Sequence, residues 1–352
     1  MSLRHLLNLT GDRLHTLPIL IFYLTDGCNS RCVTCDIWRN PRRDMPMALV
    51  ESAAAEMRPL GVRWAVLSGG EAMQHPEWPR IAARFRREGV RVILLTNGLL
   101  IRRQIAEVLA HVDELVVSLD GGTAATYDAI RGVDAFDLVL EGIHMARAGG
   151  IPVTTRTTVQ RANFRELPLI IEAAKAVDVN HISFLTVDVS NPWAFGDRFS
   201  HDVDIPLAGA VPSEHHPPAA ALTREDIAEL EAILSAMESR FAAEFASGQI
   251  AESPEKLRRM IGYFSGVLGE DTFPQVRCNA PHISAVIEVN GTLRPCYFLP
   301  AVGKVTPTVS LSEAINTAAA LDLRHAYRSG QRSECGRCVC PLYKGPRSLL
   351  RL

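Results

Sequence analysis

Three cysteines stand within eight residues in the run Cys28-Asn29-Ser30-Arg31-Cys32-Val33-Thr34-Cys35, a C-x3-C-x2-C spacing. Three thiolates this close together can reach three corners of a cubane iron–sulfur cluster and leave one iron without a protein ligand. That open iron is the chemical point, because a small molecule can chelate it. A structural zinc site takes a fourth Cys or His at short range, and none follows here. A second set lies far downstream: Cys278, Cys296 and the C-x2-C pair Cys335 and Cys338. Four thiolates would saturate an auxiliary [4Fe-4S] cluster, although a four-cysteine zinc knuckle has the same ligand count. Cys340 is left over and is read as a spare thiol, with an alternative ligand to Cys338 or a hydrogen donor as the other roles open to it. Eight cysteines clustered in this way point to metal binding in a reducing compartment rather than to disulfides.

These groups need a scaffold, and the first two-thirds of the chain alternates short apolar runs with helical stretches. Strands are predicted at Ile19–Leu24, Trp64–Leu67, Val90–Leu95, Glu114–Leu119, Val153–Val159 and His181–Val187. Helices are predicted between them near Ala48–Leu60, Trp78–Glu88, Ile101–Ala110, Ala124–Ile130, Phe136–Ala148 and Phe164–Ala176. Such repetition gives an α/β fold with a parallel sheet covered by helices. Six units are fewer than the eight that close a full barrel, so the count fits a partial (β/α)6 TIM barrel, with a flat doubly wound sheet as competitor. Cys28, Gly69-Gly70-Glu71, Thr96-Asn97-Gly98 and Ser118-Leu119-Asp120-Gly121 all follow the C-terminal ends of predicted strands, the edge where parallel sheets carry their sites.

After Val187 the chain turns rich in Pro and His (Pro192, Pro206, Pro212, His215, His216, Pro217, Pro218), which reads as an excursion over the barrel mouth. Thr223, with Asp226 three residues on, predicts a capped helix to about Phe245, and Ser253-Pro254-Glu255 opens another ending near Gly269. Asn290-Gly291 between Ile283–Val289 and Thr292–Cys296 is a hairpin signal. It predicts a separate small C-terminal module with a β-hairpin, followed by a helix near Leu311–Ala326.

The three-cysteine loop after strand one, followed by Gly-Gly-Glu after strand two, resembles the radical S-adenosylmethionine (AdoMet) superfamily over about residues 18–190. The resemblance implies a catalytic [4Fe-4S] cluster on Cys28, Cys32 and Cys35, with AdoMet on its open iron. It implies that Gly69, Gly70 and Glu71 meet the methionine amino group, that Ser118 and Asp120 contact the ribose, and that Arg131 pairs with the AdoMet carboxylate. The tail resembles the twitch module, a shortened SPASM domain, which implies one auxiliary [4Fe-4S] cluster on Cys278, Cys296, Cys335 and Cys338 and therefore two clusters in all. Two positions depart from the pattern: Thr34 replaces the aromatic residue often found before the third cysteine, and Ala72 replaces the Pro that commonly follows Gly-Gly-Glu. Trp38 is a substitute for the missing aromatic, with ordinary packing as the other reading. Arg131 has a surface, helix-end reading beside the ligand one, and Arg156 and Thr158 face either the barrel interior or the helices, according to register.

The expected division is an N-terminal extension at 1–17, a partial barrel at 18–190, a Pro/His-rich excursion and helical linker at 191–275, and a twitch/SPASM-like domain at 276–352. The expected reaction is hydrogen abstraction from a small molecule, then loss of an electron to the auxiliary cluster, as in twitch-bearing aminocyclitol dehydrogenases. Maturation of a ribosomally made peptide is the alternative, weakened by a stretch before strand one too short for a leader-binding domain. A non-enzymatic iron–sulfur or zinc scaffold ranks last, since it leaves Gly-Gly-Glu and Ser-Leu-Asp-Gly without a role. A reductant such as flavodoxin or ferredoxin is the expected partner. Asp188, Asp197, His201, His215, His216 and Tyr263 are candidates for acid–base work, each with a surface reading beside it. A formal charge of −2 gives no reason to expect nucleic acid, and no apolar run approaches a membrane span, so the cytoplasm is the expected compartment.

Overall fold

The computed structural model describes residues 4–190 and 218–351. Six parallel strands come first: β1 (Ile19–Thr25), β2 (Trp64–Gly69), β3 (Arg91–Thr96), β4 (Glu114–Ser118), β5 (Val153–Val159) and β6 (His181–Thr186). The helices α1 (Met47–Met57), α2 (Trp78–Arg87), α3 (Ile105–His111), α4 (Ala124–Arg131), α5 (Phe136–Ala148) and α6 (Leu167–Ala176) run between them. Each strand lies beside its chain neighbour in the order of a partial (β/α) barrel; a doubly wound sheet would reverse its order part-way. Alternate residues divide the two faces. Ala65, Leu67, Val92, Leu94, Leu115 and Val117 are buried beneath the helices, while Val66, Ile93, Val116 and Ser118 stay partly open on the other face. Ser118 pairs in register with Arg156, which pairs with Ser183, so Arg156 shares the open face with Ser118.

The hairpin forms where Asn290-Gly291 predicts it, from β7 (Ser284–Ile287) and β8 (Thr292–Arg294), with β9 (Gly303–Lys304) outside. It continues the barrel's sheet. β7 runs parallel to β1, with Ile19 opposite Ser284 and Phe22 opposite Ile287, and one nine-stranded sheet results in the order β6-β5-β4-β3-β2-β1-β7-β8-β9. The physical reason lies in β7 itself: all four of its residues are buried, so it reads as an interior strand needing neighbours on both sides.

At the opposite edge, residues 249–251 bridge to Ile182 of β6, and the Glu252 carboxylate accepts from Phe184 N at 2.8 Å and Ser183 Oγ at 3.0 Å. The helices α7 (Arg224–Arg240) and α8 (Pro254–Val267) pack on one another beside β6. The described part of the expected excursion therefore flanks the β6 edge, while residues 191–217, with Asp197, His201, His215 and His216, lie outside the described residues. The Thr223 capping box forms, but the helix breaks at Phe241 and resumes as Ala242–Ser247. The helix expected near Leu311–Ala326 is two pieces, Leu311–Ala314 and α9 (Ala318–Arg328). The break is held by Asn316, whose side chain donates to Leu14 O at 3.0 Å and accepts from Leu14 N at 2.8 Å.

Candidate active site and cysteine sets

The Cys28–Cys35 loop leaves the C-terminal end of β1 and is fastened on two sides. Arg31 N donates to Arg131 O at 2.9 Å and Val33 N to Ile130 O at 3.0 Å, tying the loop to the end of α4. On the other side Gly70 N donates to Thr25 O and Glu71 N to Gly27 O, both at 2.8 Å. This close backbone approach explains the glycine pair. Gly69 has a φ of +121°, and a Cβ on Gly70 would lie 2.2 Å from Gly27 O. Gly69 and Gly70 thus set the position of the cysteine loop.

Glu71 is fully buried, and its carboxylate accepts from Met73 N (3.1 Å), Thr96 Oγ1 (2.9 Å) and Asn97 N (2.7 Å). Burial raises its pKa, and these hydrogen bonds oppose the rise. Both its oxygens are engaged in clasping the ends of β2 and β3. Asn97, which sequence reasoning noted in a strand-end motif without giving it a role, donates through Nδ2 to Asn29 Oδ1 at 2.7 Å and Ser30 Oγ at 3.0 Å, and approaches Cys28 Sγ at 3.8 Å. Its signal was its place on the same strand edge as the other motifs.

Arg131 and Asp120 are brought together. Arg131 Nη1 lies 2.9 Å from Asp120 Oδ2, and Asp120 Oδ1 accepts from Thr158 N at 2.7 Å. The surface reading of Arg131 fails, because its side chain is only 12% exposed at the end of α4, beside Cys32. Burial works against its charge, but Cys32 and Asp120 outweigh that and raise its pKa overall. Its Nε is buried without a hydrogen-bond partner.

Cys28, Cys32 and Cys35 sit within electrostatic reach of one another and of Arg131. Burial pushes the Cys28 thiol up to about 11 and the Cys35 thiol to about 12. Three thiols crowded in this way favour a cationic centre, which deprotonates coordinating thiols outright. A cleft of about 530 Å³ lined by Cys28, Asn29, Arg31, Trp38 and Arg39 opens beside them, and Trp38 Nε1 is buried without a partner.

Cys278, Cys296, Cys335 and Cys338 also converge: the Tyr327 hydroxyl feels all four, and Cys335 feels the other three. Burial and these neighbours push the Cys335 thiol well up. Cys340 is exposed as a residue, yet its thiol shares a hydrogen bond with Cys338 that lowers the pKa of Cys338 and raises its own. Cys340 therefore lies beside Cys338. Among the described residues, no group of three or more His, Cys, Asp or Glu side chains closes on a common point as the ligands of a single ion do. Asp188 and Tyr263 are both buried, and Tyr263 Oη donates to Asp188 Oδ1 at 3.0 Å, which replaces their surface reading.

Residues 22–174 match the Radical SAM superfamily. With the loop, the Gly-Gly-Glu clasp and the strand edge in place, the assignment is direct. The segment 22–174 is of the radical SAM type. It is 34% identical over 175 residues to AdoMet-dependent heme synthase of Methanosarcina barkeri, covering 47% of this chain and 50% of that protein. It is 32% identical over 190 residues to Fe-coproporphyrin III synthase of the same organism, covering 51% and 46%. The chain thus spans about half the length of the curated relatives it matches. The solved structure of anSMEcpe with bound AdoMet and a Cp18Cys peptide superposes with a TM-score of 0.61 at 18% identity, covering 87% of this chain and 82% of that one. This likeness of fold covers more of the chain than the barrel alone. Among the described residues, no helix is long and apolar enough to cross a membrane.

Proposed function

We propose that this radical SAM protein cleaves AdoMet reductively at a cluster held by Cys28, Cys32 and Cys35 and oxidises a small organic molecule. The observation that carries the reading is the buried Arg131, held by Asp120 beside Cys32, with its Nε unpartnered. That arrangement fits an anionic ligand group next to the cysteine loop. When bound, AdoMet on the reduced cluster supplies a 5′-deoxyadenosyl radical, which takes a hydrogen atom from the substrate.

The chain's own residues position and protect. Gly69, Gly70 and Asn97 fix the cysteine loop, and Arg131 offers its unpartnered Nε–H to the AdoMet carboxylate. The Glu71 carboxylate is engaged with Met73, Thr96 and Asn97, so contact with the methionine amino group falls to the backbone of the Gly-Gly-Glu segment. Asp120 acts through Arg131, and Ser118 with Arg156 on the open face is left to meet ribose or substrate. Trp38 lines the cleft as an adenine neighbour. Cys278, Cys296, Cys335 and Cys338 would hold the second [4Fe-4S] cluster, whose chemistry is to accept the electron a substrate radical gives up after losing a proton. The two curated relatives are named for haem and Fe-coproporphyrin III synthesis, which favours a small-molecule substrate over a peptide.

The test is anaerobic reconstitution of wild type and a Cys28/Cys32/Cys35→Ala triple variant, followed by AdoMet, reductant and assay of 5′-deoxyadenosine. Iron should fall from about eight to about four per chain in the variant, with cleavage lost. About four irons plus zinc in wild type would make the tail structural and end the electron-acceptor role. Turnover dependent on an added peptide would move the assignment to a peptide maturase.

A further inference from the structure

The helix α8 turns one stripe of its surface toward the end of β6: Lys256, Arg259, Met260 and Tyr263, spaced as one helical face requires. Between this stripe, the end of β6 and the segment that carries Cys338 lies a cavity of about 60 Å³. Leu185 on its wall pairs in register with Thr158, and so shares the open face of the sheet with Arg156 and Ser118. Cys338 lines it too. The cavity therefore reaches from the open face of the barrel to one cysteine of the auxiliary set.

Its charges do not balance. Lys256 lies 3.5 Å from Glu252, the one carboxylate among the described lining residues. That carboxylate also accepts from Ser183 and Phe184. Asp188, within electrostatic reach of Cys338, is occupied by Tyr263 Oη and Ser190 N, each at 3.0 Å. Arg259 reaches a neutral group, the Gln275 carbonyl, and has no ion pair among the described residues. Arg337 lies over the Phe273 ring, 5.5 Å from its centroid, and has neither ion pair nor hydrogen bond among the described residues. Two guanidinium groups thus line one small space without a counter-ion, and Phe184, Leu185, Met260, Val276 and Val339 make most of the remaining wall apolar.

We propose that this cavity is a substrate subsite, which takes a carboxylate on a short aliphatic arm and grips it with Arg259 and Arg337. The inference rests on the small-molecule reading above and deepens it. Guanidinium groups match a planar carboxylate through paired charge-assisted hydrogen bonds, and the apolar wall suits a methylene stem. Size limits the arm. The volume holds roughly four to six water-sized groups, enough for a carboxylate and its stem and too little for a ring as well. Anchored there, the rest of the substrate runs along Leu185 onto the open face, where Ser118 and Arg156 lie. Arg259 and Arg337 decide which substrate is held; no bond is made or broken at this subsite.

The probe is butyrate, with butyramide as its neutral counterpart, added to the reconstituted full chain and followed by saturation-transfer NMR with and without AdoMet. Butyramide should bind about tenfold more weakly than butyrate. Arg259→Gln and Arg337→Gln should each weaken butyrate about tenfold, whereas Arg258→Gln, next along α8 and paired with Glu238, should leave it unchanged. AdoMet should not displace the probe; displacement would put butyrate at Arg131 and overturn the subsite. Affinity that is equal in wild type and both variants, or equal for butyrate and butyramide, also overturns it. So does inorganic phosphate binding more tightly than butyrate. Arg337 is exposed, so its variant decides the matter should Arg259→Gln not fold. Binding needs no turnover. Butyrate held as expected by a chain that forms no 5′-deoxyadenosine sustains the carboxylate site while the reaction reading fails, and cleavage without butyrate binding ends the subsite alone.

Discussion

Asp120 and Arg131 each supply the other's countercharge inside the protein, so neither can be removed quietly. Asp120→Leu or Arg131→Met should each cost about 3–5 kcal/mol in urea unfolding, because one buried charge is left alone. The double variant should be more stable than either single one; if the losses simply add, the pair is not the partnership described. Gly70→Ala forces a Cβ against Gly27 O and should displace the cysteine loop. Iron analysis should then show the catalytic site depleted and the auxiliary iron retained. At this scale the cysteines were legible because ligand spacing is written along the chain. The Asp120–Arg131 pair was not, since each residue alone suits a ligand contact and only the crossing of β4 with the end of α4 joins them. The role of Glu71 was hidden likewise, its partners Thr96 and Asn97 lying on the next strand.

Elements whose signals are local came through with their boundaries nearly intact. All six barrel strands lie where alternating apolar runs place them, and Thr223 caps α7 through a reciprocal box with Asp226. Thr223→Ala should cost about 1 kcal/mol by thermal melting. Asn316→Ala should cost more than Thr223→Ala, since it removes both hydrogen bonds to Leu14 and unpins the break before α9. That break illustrates what a sequence window misses: residues 311–326 favour one continuous helix, and a contact with the N-terminal segment divides it. Pairing of β7 with β1 was equally out of reach, because the hairpin signal fixes the partner within the hairpin and not the strand beyond it.

Across the whole molecule, the first and last segments are clasped. Asn8 Nδ2 donates to His282 O at 2.8 Å, and the buried Arg324 donates to the carbonyls of Pro281, Asp12 and Ile315. Burial, then the Arg324 and Arg328 charges, hold His282 down at about 4. Unfolding restores its ordinary value near 6.5, so the unfolded chain binds the extra proton first as pH falls. The stability it contributes is present above pH 6.5 and is lost as pH drops toward 4, on the order of a few kcal/mol. Melting temperatures across that range should decline in wild type and decline less in His282→Phe. The clasp also has a bearing on biosynthesis. β1 precedes every other strand of the sheet in the chain, yet it occupies the middle of the finished sheet, between β2 and the late-arriving β7. Until the ribosome has released residues 284–287, β1 presents one row of unsatisfied backbone amides and carbonyls, the template on which nascent chains stick to one another. Slowing translation after β6, or ending the chain there, should therefore trade soluble yield for aggregate even though every barrel strand has been made.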